Sequence, residues 1–430
     1  MQNTAGPKAS EALRHVRYEI RGRLARRAHE LERQGYEIVS LNIGNPRAFG
    51  LRTPETMRLA MIENLGDAEG YCHHKGIFPA REAVVMQQQE RGVRGVSAEE
   101  VFIGNGVSEL IDLALRALLN DGDEVLVPSP DYPLWTAAVT LNRGRAVHYA
   151  CRPENAFVPD PEEVASLVTP RTRALVVINP NNPTGAVYPR ALLEALAALA
   201  ERHGLIVFSD EIYDQMTYDG ARFVPMATLV RDTLCATLSG LSKVYRACGY
   251  RVGWAVFSGR TTAAAAYLNA LELLCSLRLC SNVVAQWAVQ TALGGHQSVR
   301  ELVAPGGRLH ESRAAVLGAV RGSRFLTLAP PRGAMYAFIG VNPEQLPEFD
   351  DQQFALDLLE QKHVLVAPGV SFNVPYRNHF RITTLPDAAT LRDVLGRIEE
   401  LLATYAAATP AARSEEGAPQ RLKSVVSLLK

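Results

Sequence analysis

Short, unbroken apolar segments recur along the chain and alternate with segments in which apolar residues return at helical spacing. Apolar runs of about four to eight residues are typical of strands buried on both faces. They predict strands at 38–43, 101–104, 124–127, 174–178, 205–208, 234–238 and 254–257. Helical spacing predicts helices at 24–34, 109–119 and 191–203. This alternation predicts an α/β fold in which helices sandwich a mostly parallel sheet.

The pattern changes at about residue 305, after which the elements suggest a smaller α+β domain. They are a helix at 309–320, strands at 335–339, 363–367 and 380–383, and helices that end near Ala406. We predict that residues 1–50 form an N-terminal arm and part of the small domain. Residues 51–304 are predicted to form the large domain, and residues 305–408 the small C-terminal domain. The segment 409–430 is rich in Ala, Pro, Ser and Glu at its start and is predicted to be disordered.

Composition excludes several classes of partner. The 430 residues are 47% hydrophobic, and the 45 basic residues equal the 45 acidic ones, so no overall field attracts nucleic acid or a membrane surface. No apolar run approaches the roughly 18 residues of a membrane span. The six cysteines include no C-x-x-C pair, which predicts reduced thiols in a cytoplasmic protein.

A lysine lies in a loop between two predicted buried strands, within S-G-L-S-K-V-Y-R-A-C-G-Y-R-V-G at 239–253. Lysine is rarely buried without a partner. Lys243 is compatible with a solvated loop position, or with a desolvated amine that forms a Schiff base with a carbonyl. Ser242 and Arg251 offer a hydroxyl and a guanidinium, which suit a phosphate.

A carboxylate follows another buried strand, because S-D-E-I-Y at 209–213 comes directly after 205–208. Side chains at the carboxyl ends of such strands point into the crevice where open α/β sheets bind ligands. Asp210 could therefore pair with a pyridinium nitrogen. A Schiff-base lysine, a phosphate site and this carboxylate together suggest pyridoxal 5′-phosphate (PLP).

Further loops at strand ends carry candidate binding residues, each with a structural alternative. The glycine turn before helix 109–119 exposes the backbone of Val107 and Ser108 to an anion, although such turns are common. Tyr132 is compatible with stacking on a flat ring or with packing on the core. Asn182 lies in the rigid turn N-P-N-N-P-T-G and could donate to a ring oxygen. Arg381, inside an apolar strand, needs an anion, which is a ligand or a structural partner.

The loop E-G-Y-C-H-H-K-G at 69–76 contains two adjacent histidines, His73 and His74. Adjacent residues of a regular element cannot both face one ion, and no further ligand follows at ligand spacing. We therefore predict no metal site.

The motifs N-P-N-N-P-T-G, S-D-E-I-Y and S-K-V-Y-R-A-C-G-Y-R-V-G occur in this order, and residues 18–405 resemble class I/II aminotransferases of PLP fold type I. L-N-I-G-N-P, I-G-N-G-V-S-E-L, P-D-Y-P-L-W-T-A-A-V and F-R-I-T-T-L-P resemble the alanine (glutamate-pyruvate) branch. The resemblance implies transfer of an amino group between L-alanine, or a similar small amino acid, and 2-oxoglutarate. It also implies a PLP-binding large domain and a homodimer with shared active sites.

Alternatives within the same fold stay open, because fold alone does not choose the chemistry. They are an aminotransferase with another amino donor in a biosynthetic pathway, and a PLP-dependent lyase or oxidase. A PLP-sensing regulator is disfavoured because no DNA-binding segment is appended.

The resemblance also implies a role for each candidate residue. Lys243 would hold PLP and move the proton at the substrate Cα, while Asp210 would pair with the ring nitrogen. Tyr213 and Asn182 would hydrogen-bond the phenolic oxygen. The other implied cofactor contacts are the stacking ring of Tyr132 and phosphate contacts from Val107, Ser108, Ser242, Arg251 and Tyr71, the last supplied by the other subunit. The implied substrate contacts are Arg381, Asn182 and the Gly44 backbone for the α-carboxylate, Arg21 for the glutamate γ-carboxylate, and Tyr18 closing over alanine.

One position departs from the family pattern. Many relatives have a serine three residues before the lysine, where this chain has Gly240. The loss of one hydroxyl contact would cost the phosphate site about 1 to 2 kcal/mol, so cofactor binding is expected to survive.

Overall fold

The computed structural model describes residues 6–16 and 22–408. The α-helices are α1 (Arg23–Arg33), α2 (Glu55–Glu63), α3 (Phe78–Glu90), α4 (Val107–Leu118), α5 (Leu134–Leu141), α6 (Pro161–Ser166), α7 (Arg190–His203), α8 (Ala265–Leu277), α9 (Val283–Gln286), α10 (Ala288–Gly294), α11 (Val299–Val303), α12 (Arg308–Gly322), α13 (Asp351–Lys362) and α14 (Ala388–Ala408). The strands are β1 (Val39–Ser40), β2 (Val101–Gly104), β3 (Glu124–Ser129), β4 (Arg145–Ala150), β5 (Thr172–Ile178), β6 (Ile206–Asp210), β7 (Leu234–Gly240), β8 (Gly253–Gly259), β9 (Leu326–Thr327), β10 (Tyr336–Val341), β11 (Val364–Leu365), β12 (Ala367–Pro368) and β13 (His379–Thr383).

The larger sheet has seven strands in the order β2-β8-β7-β6-β5-β3-β4. The pairs from β7 through β6, β5 and β3 to β4 are parallel, whereas β8 runs antiparallel to β7 and β2. Parallel strands end at the same edge, so the loops after β3, β5, β6 and β7 meet there. This arrangement confirms the predicted mostly parallel sheet.

Both faces of this sheet are covered, which explains why its strands are apolar without alternation. In β5, Leu175 and Val177 pack into a core that includes residues of α7. Val176 and Ile178 point the other way, into a core with residues of α4, α5 and α8. The helices therefore sandwich the sheet, as the sequence predicted.

The part of the chain after residue 305 contains a four-stranded antiparallel sheet in the order β12-β13-β10-β9. Its core combines side chains of α12, α13 and α14 with Leu24, Ala28 and Leu31 of α1. The predicted strand at 363–367 is divided, because β11 pairs with β1 in a separate two-stranded parallel sheet and β12 pairs with β13. The division into domains at residues 50, 304 and 408 stays a prediction.

Across the described residues, we find no helix with the length and hydrophobicity needed to cross a membrane.

Candidate active site

Lys243 follows β7 and lies at the edge where the parallel strands end. Its side chain is half-buried, and Nζ donates a hydrogen bond of 2.7 Å to the carbonyl oxygen of Gly44. The two ends of its loop, residues 241–252, are held together because β7 and β8 pair through Gly240 and Gly253. A Cβ at Gly240 would lie 2.7 Å from the Val252 carbonyl oxygen, so a side chain here would displace backbone. The close strand pairing thus leaves little room for a side chain at position 240 of this chain.

Asp210 is the last residue of β6 and is only 3% exposed. Its Oδ2 accepts a hydrogen bond of 3.1 Å from Trp135 Nε1, and Oδ1 accepts one of 3.5 Å from the Ile212 backbone. Burial raises its pKa to about 6, although these hydrogen bonds and the positive charge of Lys243 lower it in part. The carboxylate is therefore held in one orientation and lacks a full positive charge to balance its own.

Tyr213 lies in the loop after β6 and is buried. Its hydroxyl donates a hydrogen bond of 3.2 Å to the hydroxyl of Tyr336, and the two rings meet edge to face at 5.9 Å. Burial, followed by the proximity of Tyr336, raises the pKa of Tyr213 well above its ordinary value. Tyr213 therefore keeps its proton and acts as a donor.

Arg381 is a buried arginine of β13 with 2% of its surface exposed. Nη1 donates to Asn182 Oδ1 at 2.8 Å, and Nη2 donates to the carbonyl oxygen of Asn42. The guanidinium carbon lies 4.3 Å from the ring centroid of Tyr336 and 4.7 Å from that of Phe372. The guanidinium is thus fixed in a buried position, and its planar set of N–H donors suits an anionic ligand.

Arg251 lies against the N-terminus of α4. Its guanidinium donates to the carbonyl oxygens of Cys248 at 3.0 Å and Asn105 at 3.2 Å. Gly106 precedes α4 with φ of +83°, and a Cβ on this residue would overlap the guanidinium. The arginine and the first N–H groups of the helix therefore face the same space, which suits a phosphate.

The other predicted cofactor residues lie at the same sheet edge or beyond it. Val107 and Ser108 are the first residues of α4, and Ser242 precedes Lys243; all three are half-buried. Tyr132 is half-buried in the loop after β3 and packs beside the core on that face. Tyr71 is 82% exposed in the loop before α3. Tyr18 and Arg21 lie outside the described residues.

Sequence reasoning missed three residues that hold this site together. Trp135 binds Asp210, the Asn42 carbonyl oxygen binds Arg381, and Tyr336 contacts both Tyr213 and Arg381. Trp135 could have been found, because a buried indole N–H requires an acceptor. Tyr336 lies within an apolar strand pattern that predicts only core packing.

Comparison with known proteins agrees with this geometry. The family model for aminotransferase class I and II matches residues 36–398, and the chain belongs to this family. The glutamate-pyruvate aminotransferase AlaA of Escherichia coli K12 is 47% identical over 396 residues, which cover 92% of this chain and 98% of that protein. The alanine aminotransferase of Mycobacterium tuberculosis H37Rv is 45% identical over 397 residues, covering 92% of each chain.

Solved structures share the fold. A crystal structure of an aminotransferase from Escherichia coli superimposes with a TM-score of 0.91 at 46% identity, covering 93% of this chain and 99% of that one. The alanine aminotransferase from Pyrococcus furiosus gives a TM-score of 0.87 at 33% identity, covering 92% of this chain and 100% of that one. The chain is therefore an enzyme of the aminotransferase class.

Proposed function

We propose that this aminotransferase uses PLP to transfer the amino group of L-alanine to 2-oxoglutarate, giving pyruvate and L-glutamate. The observation that carries the proposal is that a half-buried lysine and a buried carboxylate lie at one edge of the larger sheet. A buried arginine of β13 reaches the same edge through its hydrogen bond to Asn182. Relatives at 45% to 47% identity are named for alanine or glutamate-pyruvate transamination, which supports this choice of substrates.

The residues present fit PLP by their chemistry. Arg251, the N-terminus of α4 and Ser242 would hold its phosphate, and the glycine at 106 leaves room for the arginine. Asp210 would pair with the ring nitrogen, and a cation there would relieve the cost of its burial. Tyr213 and Asn182 would hydrogen-bond the phenolic oxygen, and Tyr132 would stack on the ring. When bound, the cofactor supplies an aldehyde for amines and a conjugated ring that takes up the electrons left at the substrate Cα.

The chain's own residues would then bind the substrate and move its proton. Arg381 would bind the α-carboxylate through its guanidinium, which Asn182 and two aromatic rings hold in place. This contact fixes Cα, which is one bond from the carboxylate. Lys243 Nζ would remove the Cα proton and return it on the product side, acting as general base and then as general acid.

Both substrates share the α-carboxylate but differ in the side chain, so a second group must accept either a methyl or a γ-carboxylate. We assign Arg21 to the γ-carboxylate and Tyr18 to closure over alanine. Arg21→Ala should weaken the use of glutamate and 2-oxoglutarate far more than that of alanine. Steady-state kinetics on each substrate tests this, with Arg14→Ala as the control, and equal losses would refute the assignment.

We propose that the enzyme is a homodimer in which Tyr71 reaches the phosphate of the neighbouring subunit. Large apolar side chains are exposed on two stretches of chain, and they are Leu59, Ile62, Leu65, Phe78 and Met86 on the first, with Leu273, Leu277 and Leu279 on the second. His74 and Glu272 join the stretches at 2.9 Å. Exposed apolar surface of this kind marks protein interfaces.

The cysteines are free, which favours a reducing compartment such as the cytoplasm.

The function is tested by incubating the purified protein, supplied with PLP, with L-alanine in the presence or absence of 2-oxoglutarate. We expect continuous pyruvate formation with 2-oxoglutarate and at most one pyruvate per active site without it. Lys243→Ala should abolish turnover, whereas Lys362→Ala, at a surface ion pair, should not. Continuous pyruvate formation without 2-oxoglutarate would indicate a lyase or oxidase, and the absence of any reaction with alanine would indicate another donor.

A further inference from the structure

Tyr336 is the first residue of β10 and lies deep in the site, with 3% of its surface exposed. The strand pairs with β13, which carries Arg381. In sequence it belongs to an ordinary apolar strand pattern. Its contacts are nevertheless with the residues proposed to perform the chemistry.

The Tyr336 hydroxyl oxygen lies between two donors. Tyr213 Oη donates a hydrogen bond of 3.2 Å to it. Lys243 Nζ, which donates to the Gly44 carbonyl oxygen at 2.7 Å, interacts with it from the other side. A Cβ at position 44 would overlap this hydroxyl, so the glycine there leaves the space that the hydroxyl fills. The oxygen therefore lies beside the amine, the second tyrosine and the backbone of Gly44.

The charges around this hydroxyl favour its role as an acceptor. Burial raises the pKa of Tyr336, but the positive charges of Lys243 and Arg381 and the hydrogen bonds from Tyr213 and Lys243 outweigh burial and lower it below the ordinary value. The pKa of Tyr213 moves in the opposite direction. Tyr213 is therefore the donor of the pair, and Tyr336 is the first of the two to ionise as the pH rises.

The ring of Tyr336 makes a separate contact with Arg381, whose guanidinium carbon lies 4.3 Å from the ring centroid. A cation over an aromatic face in a buried site is held by both electrostatics and packing. One side chain thus touches the proposed proton carrier with its oxygen and the proposed carboxylate anchor with its ring.

We propose that Tyr336 is a positioning residue of this active site, which orients Lys243 through its hydroxyl and Arg381 through its ring. The inference rests on the proposed function. The substrate Cα has to lie between the carboxylate bound by Arg381 and the amine of Lys243. A residue in contact with both sets their spacing, and small errors in such a spacing slow catalysis strongly.

Two substitutions separate the hydroxyl from the ring. Tyr336→Phe keeps the ring, so kcat for the alanine reaction should fall about tenfold to a hundredfold, as expected for a lost hydrogen bond to a charged group, with KM changed less than about threefold. Tyr336→Leu also removes the ring, so KM for both L-alanine and 2-oxoglutarate should rise in addition by about threefold to thirtyfold.

Tyr218 provides a matched control because it is equally buried, its ring lies 5.1 Å from Arg313, and its hydroxyl donates to the Ala334 carbonyl oxygen at 3.0 Å. Tyr218→Phe and Tyr218→Leu should leave the kcat and KM pattern unchanged even if they lower stability. A Tyr336→Phe enzyme with wild-type kcat and KM would overturn the proposal.

A measurement without cofactor or turnover tests the contact directly. Ultraviolet difference absorbance of tyrosinate, followed during a pH titration of the PLP-free protein, should show one tyrosine that ionises below the ordinary range. This transition should vanish in Tyr336→Phe and move to higher pH in Lys243→Ala, but persist in Tyr218→Phe. Its persistence in Tyr336→Phe would overturn the contact. If the titration behaves as expected but no transamination is found, the proposed function fails while the contact between Tyr336 and Lys243 stands.

Discussion

The burial of Asp210 imposes a cost that only a neighbouring cation removes. Burial raises its pKa from 3.8 to about 6 despite the hydrogen bond from Trp135 and the charge of Lys243. Because the pKa of this carboxyl is higher in the folded than in the unfolded protein, the free energy of unfolding falls as the pH rises through the folded pKa. Its ionised form should therefore destabilise the PLP-free protein by up to about 3 kcal/mol at neutral pH, and by nothing below the unfolded pKa.

Asp210→Asn should consequently stabilise the PLP-free protein above pH 6. It should also lower transaminase activity at least about a hundredfold, because the proposed partner of the ring nitrogen is lost. Thermal unfolding at pH 8 and at pH 4 measures the first effect, and the gain should shrink towards zero at the lower pH. A variant that is less stable than the wild type at pH 8 would contradict this account of Asp210.

Arg381 should bind the group that both substrates have in common. Arg381→Lys loses the planar fork, so KM for L-alanine and for 2-oxoglutarate should rise together by about tenfold to a hundredfold. Arg313→Lys is the matched control, because Arg313 is also buried and lies over a tyrosine ring, but its partner is Asp219. Unequal increases for the two substrates would argue against a shared carboxylate anchor.

The sequence identified residues whose type conflicts with their position, such as a lysine in a loop between two buried strands and an arginine in an apolar strand. It did not identify Tyr336, since a tyrosine at the start of an apolar strand is ordinary. The contacts of Tyr336 join distant segments of the chain, and its hydrogen bond to Tyr213 spans 123 residues. Similarly, the sequence around Lys75 did not predict that its side chain is buried and forms ion pairs with Glu99 and Glu272.

At the scale of elements, the start of α4 should bind phosphate only if Gly106 stays a glycine. Gly106→Ala places a Cβ against Arg251 and adds strain at φ of +83°. Gly122→Ala adds the same strain, because its φ is also +83°, but has nothing within 4 Å. Both variants should lose about 1 to 3 kcal/mol of stability. Only Gly106→Ala should also weaken PLP binding, which titration of the PLP-free protein with the cofactor measures, and equal affinities would refute the phosphate site.

The strands of the large sheet were predictable because burial on both faces leaves a continuous apolar run, which a single sequence displays. The strand at 363–367 was not predicted correctly as one element. It is divided because Val364 pairs with β1 while Ala367 pairs with β13, and the choice of partner depends on tertiary packing that local pattern does not contain. The loops that follow β3, β5, β6 and β7 could be located from the sequence, because each begins where an apolar run ends.

At the scale of the molecule, the two sheets meet through the candidate site. Asp131, after β3, receives a hydrogen bond of 2.9 Å from Asn373 Nδ2, and its backbone N–H donates to the Phe372 carbonyl oxygen at 3.1 Å. Phe372 in turn lies against Arg381. The loop that carries Tyr132 is thus tied to the segment that supports the proposed carboxylate anchor, so binding of the cofactor and of the substrate should influence each other.

The proposed homodimer with shared active sites can be tested by mixing two variants that are each inactive alone. Tyr71 is 82% exposed in one chain, so its ring is accessible to a neighbouring subunit. Tyr71→Ala and Lys243→Ala should each be nearly inactive alone. When the two variants are mixed and allowed to exchange subunits, each heterodimer should contain one site with both lesions and one intact site. Activity should therefore reappear on mixing.

In the proposed dimer, subunit exchange would depend on the exposed apolar surface proposed as the interface. Leu277→Glu places a charge at a 73% exposed leucine of this surface and should raise the dimer dissociation constant at least about a hundredfold, since burying an unpaired charge costs at least about 3 kcal/mol. Leu141→Glu, at a leucine exposed elsewhere, should leave the dimer intact. Sedimentation velocity at falling protein concentrations measures both. If Leu277→Glu stays dimeric, the interface lies elsewhere. If the mixture of Tyr71→Ala and Lys243→Ala stays inactive although the subunits exchange, Tyr71 acts within its own subunit.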